Sequence, residues 1–199
     1  MIRPAPSRPP LSRRPQGRGT ALGAAALACA AAGLWLAACG GGGGGPTAPP
    51  PPAQSLVFTA ASGSSPTSVA LLRSGTSAST LTLEVRAQGV TDLYGVAFDL
   101  TYPASLLAFE GASEGAFLGQ GGIATTVQVA EQPGRLVVGA TRLGVVGGVT
   151  GSGTLLSLSF RAIAAGSGDI AFSDPSAVAA TGNPVTDLDW LGGSVQITR

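Results

Sequence analysis

Beyond about residue 53, apolar and polar side chains alternate with a period of two, in short runs broken by Gly, Ser, Pro and Asp. Between residues 94 and 102 every second side chain is large, and the residues between are small or polar. Leu156, Leu158 and Phe160 repeat the pattern, with Ser157 and Ser159 between them. Alternation of this kind predicts β-strands that bury one face and expose the other.

The same pattern predicts about ten short strands in this part of the chain. They fall at residues 56–59, 69–73, 81–87, 93–102, 106–110, 125–130, 136–141, 154–162, 169–172 and 193–198. Sustained helical periodicity with capping residues does not occur after residue 53. The sequence therefore predicts an all-β domain, built as an antiparallel β-sandwich or jelly roll.

The N-terminal segment has a different composition. Residues 1–19 contain five arginines and no carboxylate, and residues 21–38 carry no charge and are mostly Ala, Leu and Gly. A basic start followed by an apolar stretch with small residues at its end is typical of a secretory signal peptide. The stretch is nearly long enough to span a bilayer, so a retained membrane anchor is the alternative. Its richness in Ala makes it weakly hydrophobic for a permanent span.

The apolar stretch ends at Leu36-Ala37-Ala38-Cys39-Gly40. This ending resembles the lipobox of bacterial lipoproteins, in which a branched apolar residue and two small residues precede the cysteine that receives the lipid. Cys29 fits less well, because Ala26 stands where the branched residue belongs. We therefore expect cleavage before Cys39 and lipidation at Cys39. That implies a protein held in the cell envelope, in the outer membrane if the host has one.

The predicted domain organisation follows from these shifts in composition. Residues 1–38 are expected to form the signal peptide, and residues 39–53 a tether of Gly and Pro. Residues 54–199 are expected to form the β-sandwich. Gly-rich segments are flexible and Pro-rich segments are stiffer, so the tether would hold the domain away from the lipid surface.

Charge and composition exclude several classes of function. From Cys39 onward the chain has six arginines against ten carboxylates, a formal charge of −4, and it contains no Lys or His. Nucleic-acid binding is therefore not expected. Without His or Lys, the usual acyl-transfer triads cannot form, and zinc lacks its common ligands. Glu110 and Glu114 flank a loop and are interpreted as solvated acids rather than as a glycosidase pair. We predict no enzyme activity and no catalytic residue.

Two weaker candidates for ligand binding remain. Asp174, Asp187 and Asp189, with Asn183, offer oxygen ligands for calcium, although we favour a surface loop capped by Asx hydrogen bonds. Trp190 is the one plausible aromatic platform for a sugar, and its alternative role is a plug in the core. No cofactor is otherwise expected.

Three segments together resemble the cohesin domain. They are LYGVAFDLTYP at 93–103 with leucines at 106 and 107, GSGTLLSLSF at 151–160, and GGSVQI at 192–197. The resemblance covers residues 54–199 and implies a nine-stranded jelly roll related to bacterial carbohydrate-binding modules. Tyr102 meets Pro103 directly, without the acidic residue that the family places between them. Gly95 and Ala97 stand where dockerin-binding members carry polar side chains.

The resemblance implies a binding or scaffolding module that recruits a protein partner, dockerin-like or otherwise, at the cell surface. A carbohydrate-binding module that takes part in polysaccharide binding or breakdown is the first alternative. A structural part of an envelope secretion or pilus assembly is the second.

Overall fold

The computed structural model describes residues 54–75 and 77–199, and these residues form ten β-strands. The strands are β1 (Ser55–Ala60), β2 (Ser68–Ser74), β3 (Thr80–Thr101), β4 (Leu107–Glu114), β5 (Thr125–Gln132), β6 (Arg135–Arg142), β7 (Val149–Ala162), β8 (Gly166–Ala179), β9 (Asp189–Leu191) and β10 (Gly193–Thr198). None of the described segments is a helix that could span a membrane. Cys39, the predicted signal peptide and the whole of the predicted tether lie outside the described residues.

Strand β3 belongs to both layers of the sandwich. Its first part, residues 80–87, pairs with β2 on one side and β7 on the other. Its last part, residues 93–101, pairs with β6 and β8. One layer therefore runs β9–β2–β3–β7–β4, and the other runs β1–β10–β8–β3–β6–β5. The pairings are antiparallel except for β9, which lies parallel to β2.

The sequence predicts two strands, at 81–87 and 93–102, where the structure has one. Between them the pairing with β7 shifts register twice, at Ala87/Val90 and at Val90/Leu93. Gly89 and Asp92 have positive φ angles of 63° and 54° there. Their N–H groups donate to side-chain hydroxyls on β7 at 2.9 and 3.0 Å. These are β-bulges that bend a continuous strand, so the prediction of a break was wrong.

The core confirms the period-two pattern. Val96, Phe98 and Leu100 of β3 are buried, as are Leu158 and Phe160 of β7. Ten strands are present where the resemblance implies nine, since the three-residue β9 adds a short edge that periodicity does not predict. The all-β, sandwich-type fold predicted from the sequence is confirmed.

Arg142 is a buried cation on the inner side of β6, with 6% of its surface exposed. Its guanidinium donates from Nη1 to the carbonyl of Leu118 and from Nη2 to the carbonyl of Gln120, the latter at 3.3 Å. Both carbonyls belong to the connection between β4 and β5. Arg142 therefore holds this loop in addition to its own turn bonds, from Gln120 N to the Phe117 carbonyl and from Gly122 N to the Gly119 carbonyl.

Tyr102 links the core to the edge of the second layer. Its hydroxyl donates to Glu131 Oε1 at 3.1 Å. Burial, and then the neighbouring Glu131 carboxylate, raise the pKa of Tyr102 above its ordinary value.

A raised pKa in the folded state means that the unfolded chain loses this proton first as the pH rises. We therefore expect the free energy of unfolding to fall above about pH 10, where an ordinary tyrosine ionises. Tyr102→Phe should remove this part of the decline. Urea unfolding of both proteins between about pH 9 and pH 11 measures it, and equal slopes would contradict the expectation.

Candidate functional site

The outer face of β8, β3, β6 and β5 contains a shallow groove of about 270 Å³. Across its centre, Ala97 of β3 lies between Gly139 of β6 and Ser176 of β8. Two residues before Ala97, on the same face of β3, Gly95 lies between Thr141 and Val178. Small side chains thus occupy the middle of the face, and larger ones on the neighbouring strands form its walls.

The two glycines of the groove have different roles. A Cβ atom at Gly95 would stand 2.9 Å from Thr141 Oγ1 and 3.1 Å from the Ala140 carbonyl oxygen, so a side chain there requires a shift of β6. A Cβ atom at Gly139 would meet nothing within 4 Å. Gly95 therefore permits close strand approach, whereas Gly139 leaves the groove open above an ordinary extended backbone.

Apolar side chains are concentrated on this face and on the loop between β6 and β7. Seven large hydrophobic side chains are exposed in the described chain, and four of them, Val137, Leu143, Val145 and Val178, lie here. Val145 is fully exposed. Exposed apolar side chains concentrated around a groove mark an interaction site more often than scattered ones do.

The apolar loop is held against β3 at both of its ends. Tyr94 Oη donates to the Gly144 carbonyl at 2.6 Å. Near the other end, Gly148 N donates to Asp92 Oδ1 at 2.8 Å. Leu143 and Val145 are therefore presented by a tethered loop, which lowers the entropy lost when a ligand covers them.

An ion pair lies toward the opposite end of the face. Asp99 follows Ala97 on the outer side of β3 and is buried, and its carboxylate contacts the guanidinium of Arg135 on β6. The pair makes this end polar, while Val178 and Leu143 make the other end apolar. The two ends of the face therefore differ in polarity, so a ligand could bind in one preferred orientation.

Trp190, the predicted aromatic platform, lies on β9 and is half-buried. Its ring packs against Phe172 at 5.2 Å and Phe98 at 5.6 Å between ring centroids. These contacts place the Trp190 ring at the edge of the hydrophobic core. Part of the ring also lines a pocket of about 350 Å³ with Pro175 and Pro184. A role in ligand binding stays a prediction.

The predicted calcium candidates lie on two segments, Asp174 in β8 and the other two in or just before β9. Asp174 is exposed and sits at a bulge of β8 with a φ of 48°. Asp187 accepts a hydrogen bond on its backbone carbonyl from Thr67, and Asp189 donates through its backbone N–H to the same residue. Within residues 54–75 and 77–199, no group of three or more acidic, His or Cys side chains could hold a metal. Calcium binding stays a prediction that these contacts do not support.

Glu110 is engaged in a surface ion pair. Its Oε1 accepts a hydrogen bond from Arg161 Nε at 3.0 Å, and both side chains are exposed. This agrees with the interpretation of Glu110 and Glu114 as solvated acids. Glu114 is exposed and lines a cleft with Phe109 and Val127.

Sequence reasoning singled out Gly95 and Ala97 but missed Gly139. A glycine inside a strand pattern often marks the close approach of another backbone or of a ligand. Gly139 interrupts the run Leu136-Val137-Val138, and that signal was available. Its place opposite Ala97, however, depends on the pairing of β3 with β6, which joins residues about forty positions apart.

No protein-family model and no curated protein sequence matches the chain. Among solved structures, it is similar to a non-cellulosomal cohesin of the archaeon Archaeoglobus fulgidus, at 17% identity over 70% of this chain and 88% of that chain, with a TM-score of 0.50. A type II cohesin of Bacteroides cellulosolvens matches at 14% identity over 62% of this chain and 94% of that one, with a TM-score of 0.52.

A third match comes from a type II cohesin–X-dockerin complex of Acetivibrio cellulolyticus. It has 12% identity over 64% of this chain and 95% of that chain, with a TM-score of 0.53. At such identities the likeness establishes the fold. The chain has a cohesin-like jelly-roll fold, which confirms the resemblance carried by its three sequence segments.

Proposed function

We propose that this chain is a non-catalytic binding module that holds a protein partner on the outer face of β8, β3, β6 and β5. The observation that carries the proposal is the open groove above Gly139, bordered at one end by Val178 and the Leu143–Val145 loop. An apolar side chain projecting from a partner fits a groove of this shape, and the exposed valines and leucine would be covered around it.

The fold neighbours support a protein as the partner. The similar Acetivibrio cellulolyticus cohesin is in a complex with an X-dockerin. Gly95 and Ala97 offer no side-chain hydrogen bonds in this chain, so recognition here rests on shape and apolar contact. The partner is therefore expected to present an apolar surface, whether or not it is a dockerin.

Lipid attachment at Cys39 completes the proposal. The anchor would keep the module on the envelope, and the partner would be retained at the cell surface. The contacts of half-buried Trp190 with Phe98 and Phe172 cover part of the ring on which a sugar would stack, so they count against glycan binding at that tryptophan.

Gly139→Leu tests the groove directly. The new side chain enters open space, so the fold should be kept while the groove is filled. Thr82→Leu is the matched control, because Thr82 faces outward on β3 in the other layer. The wild-type protein and both variants are used to capture envelope and secreted proteins of the host.

We expect a partner that is retained by the wild type and by Thr82→Leu, and whose recovery falls at least tenfold, about 1.4 kcal/mol, with Gly139→Leu. Equal recovery by all three proteins would place binding elsewhere. Recovery of no specific partner would remove the support for a protein-binding role.

A further inference from the structure

Strand β5 is a long edge with one side paired and, in the described part of the chain, no strand on the other. Leu143 N donates to the Ala124 carbonyl at 2.8 Å, and the pairs Thr126–Thr141 and Gln128–Gly139 continue that register. In an antiparallel ladder, hydrogen-bonded pairs alternate along the strand. The even-numbered residues of β5 therefore bond to β6. The odd-numbered residues, from Thr125 to Glu131, direct their N–H and C=O groups to the free edge.

The other edges of the two layers are blunted. The register of β4 shifts between Phe109 and Gly111, and β9 has three residues. On the edge strand β1, the Leu56 carbonyl already accepts a hydrogen bond from Arg73 of β2, at 2.5 Å. By contrast, β5 pairs with β6 over eight residues without a bulge, and it contains no Pro, Lys or Arg. Such an edge is a template for a further strand.

A cleft of mixed polarity lies beside this edge. It separates β5 from β4, has a volume of about 360 Å³ and is lined by Phe109, Ala112, Ser113, Glu114, Val127 and Val129. The two valines and Phe109 are half-buried. The two valines face the inner side of their layer. A strand added to β5 would place every second side chain on that same side. An added apolar strand would thus cover these side chains as well as the backbone edge.

We propose that the occupant is a second copy of this chain, paired β5 to β5 in antiparallel fashion about a two-fold axis at Gln128. In this register the odd-numbered residues of one copy bond to the odd-numbered residues of the other. Val127 lies opposite Val129 of the second copy, and Thr125 lies opposite Glu131. The free N–H and C=O groups find partners, the apolar side chains meet on the inner side, and no like charges oppose each other.

This register is the one that pairs all four residues of the free edge, Thr125, Val127, Val129 and Glu131. A shift by two residues leaves one end unpaired, and a shift by one turns bonded groups away from each other. The tether of the same chain is a poor occupant, because prolines at positions 46 and 49–52 lack the N–H groups that an added strand must donate. A self-complementary edge, by contrast, closes as a two-fold dimer.

The dimer would join two outer faces into one sheet with both grooves on the same side. Gln128 and its symmetry mate would form a non-hydrogen-bonded pair, with Cα atoms about 4.5 Å apart. That separation permits a disulfide. Ala130 lies on the same side of the same strand, but its two copies would be about 14 Å apart, four residues along the strand.

Cysteine cross-linking in the full chain tests the register. Under mild oxidation Gln128→Cys should give at least tenfold more disulfide-linked dimer than Ala130→Cys, with the unsubstituted chain supplying the background from Cys29 and Cys39. The double variant Thr126→Cys, Ala130→Cys should cross-link again. Equal cross-linking of Gln128→Cys and Ala130→Cys would overturn the proposal.

Sedimentation of the full chain in detergent gives a second measurement. The wild type should show twice the mass of one chain at high protein concentration. Val129→Pro should stay monomeric with an unchanged circular dichroism spectrum, since Val129 directs its N–H away from β6. A wild-type chain that stays monomeric at every concentration would overturn the dimer. The groove and the edge share Thr126 and Gln128 of β5, so Gly139→Leu is sedimented as well. If Gly139→Leu stays dimeric and loses the captured partner, the two outcomes are distinguished.

Discussion

Replacement of Cys39 by alanine should move the protein from the membrane fraction to the soluble fraction. The expected attachment consists of acyl chains on that thiol, and each buried CH₂ group contributes about 0.8 kcal/mol. One chain alone gives marginal binding, so the two or three chains of a lipoprotein make attachment stable. Loss of the thiol removes all of them at once. Membrane fractionation followed by alkaline extraction measures the effect.

Cys29→Ala is the matched control, because it removes the other cysteine of the chain and leaves Leu36-Ala37-Ala38-Cys39 intact. This variant should stay attached to the membrane. If the Cys39→Ala protein also resists alkaline extraction, the apolar stretch at 21–38 is a retained anchor and the lipoprotein assignment is wrong. A released Cys39→Ala domain should keep the circular dichroism spectrum of a β-protein.

A second large effect is expected in the free energy of unfolding when Arg142 is replaced by alanine. The guanidinium satisfies the carbonyls of Leu118 and Gln120. A buried carbonyl left without a donor costs about 1–3 kcal/mol, and the removed side chain leaves a cavity. The Nε of Arg142 is buried without a hydrogen-bond partner in the described part of the chain, and its removal offsets part of this cost, so we expect a net loss of about 1–3 kcal/mol. Urea unfolding measures the loss, and faster amide exchange at residues 119–124 locates it.

Two further variants separate the causes. Arg161→Ala removes an arginine whose ion pair with Glu110 is exposed, so it should cost less than about 1 kcal/mol. Arg142→Met keeps much of the volume without the donors, and its loss should fall between the other two. If Arg142→Ala costs no more than Arg161→Ala, the guanidinium does not fix the β4–β5 connection.

Most strands could be predicted because their alternation reflects burial on one side. The differences arise where local chemistry is ambiguous. Gly89 and Asp92 look like turn residues, yet hydroxyls of β7 satisfy their displaced N–H groups, so the strand bends and continues. Pro175 lies inside β8, where a register shift accommodates it. A bulge and a turn use the same residue types, and only the partner strand distinguishes them.

The candidate face was less accessible to sequence reasoning. The absence of polar side chains at Gly95 and Ala97 was visible, but it was interpreted as a departure from the dockerin-binding pattern rather than as the floor of a groove. The groove exists because β3, β6 and β8 bring small residues into one row. Exposure of Val137 and Val178 follows from the same pairing, which no local pattern encodes.

The membership of β3 in both layers has a consequence for how the domain unfolds. Because β3 is shared, the unfolding of one layer disrupts strand pairing in the other. We therefore expect the groove and the opposite layer to unfold together. We infer a single cooperative transition, with few partly open states in which unpaired strands meet proteases. Because the partners of β3 are distant in sequence, folding should also be slow. Slow folding would suit the proposed export, since the chain would stay extended while it crosses the membrane.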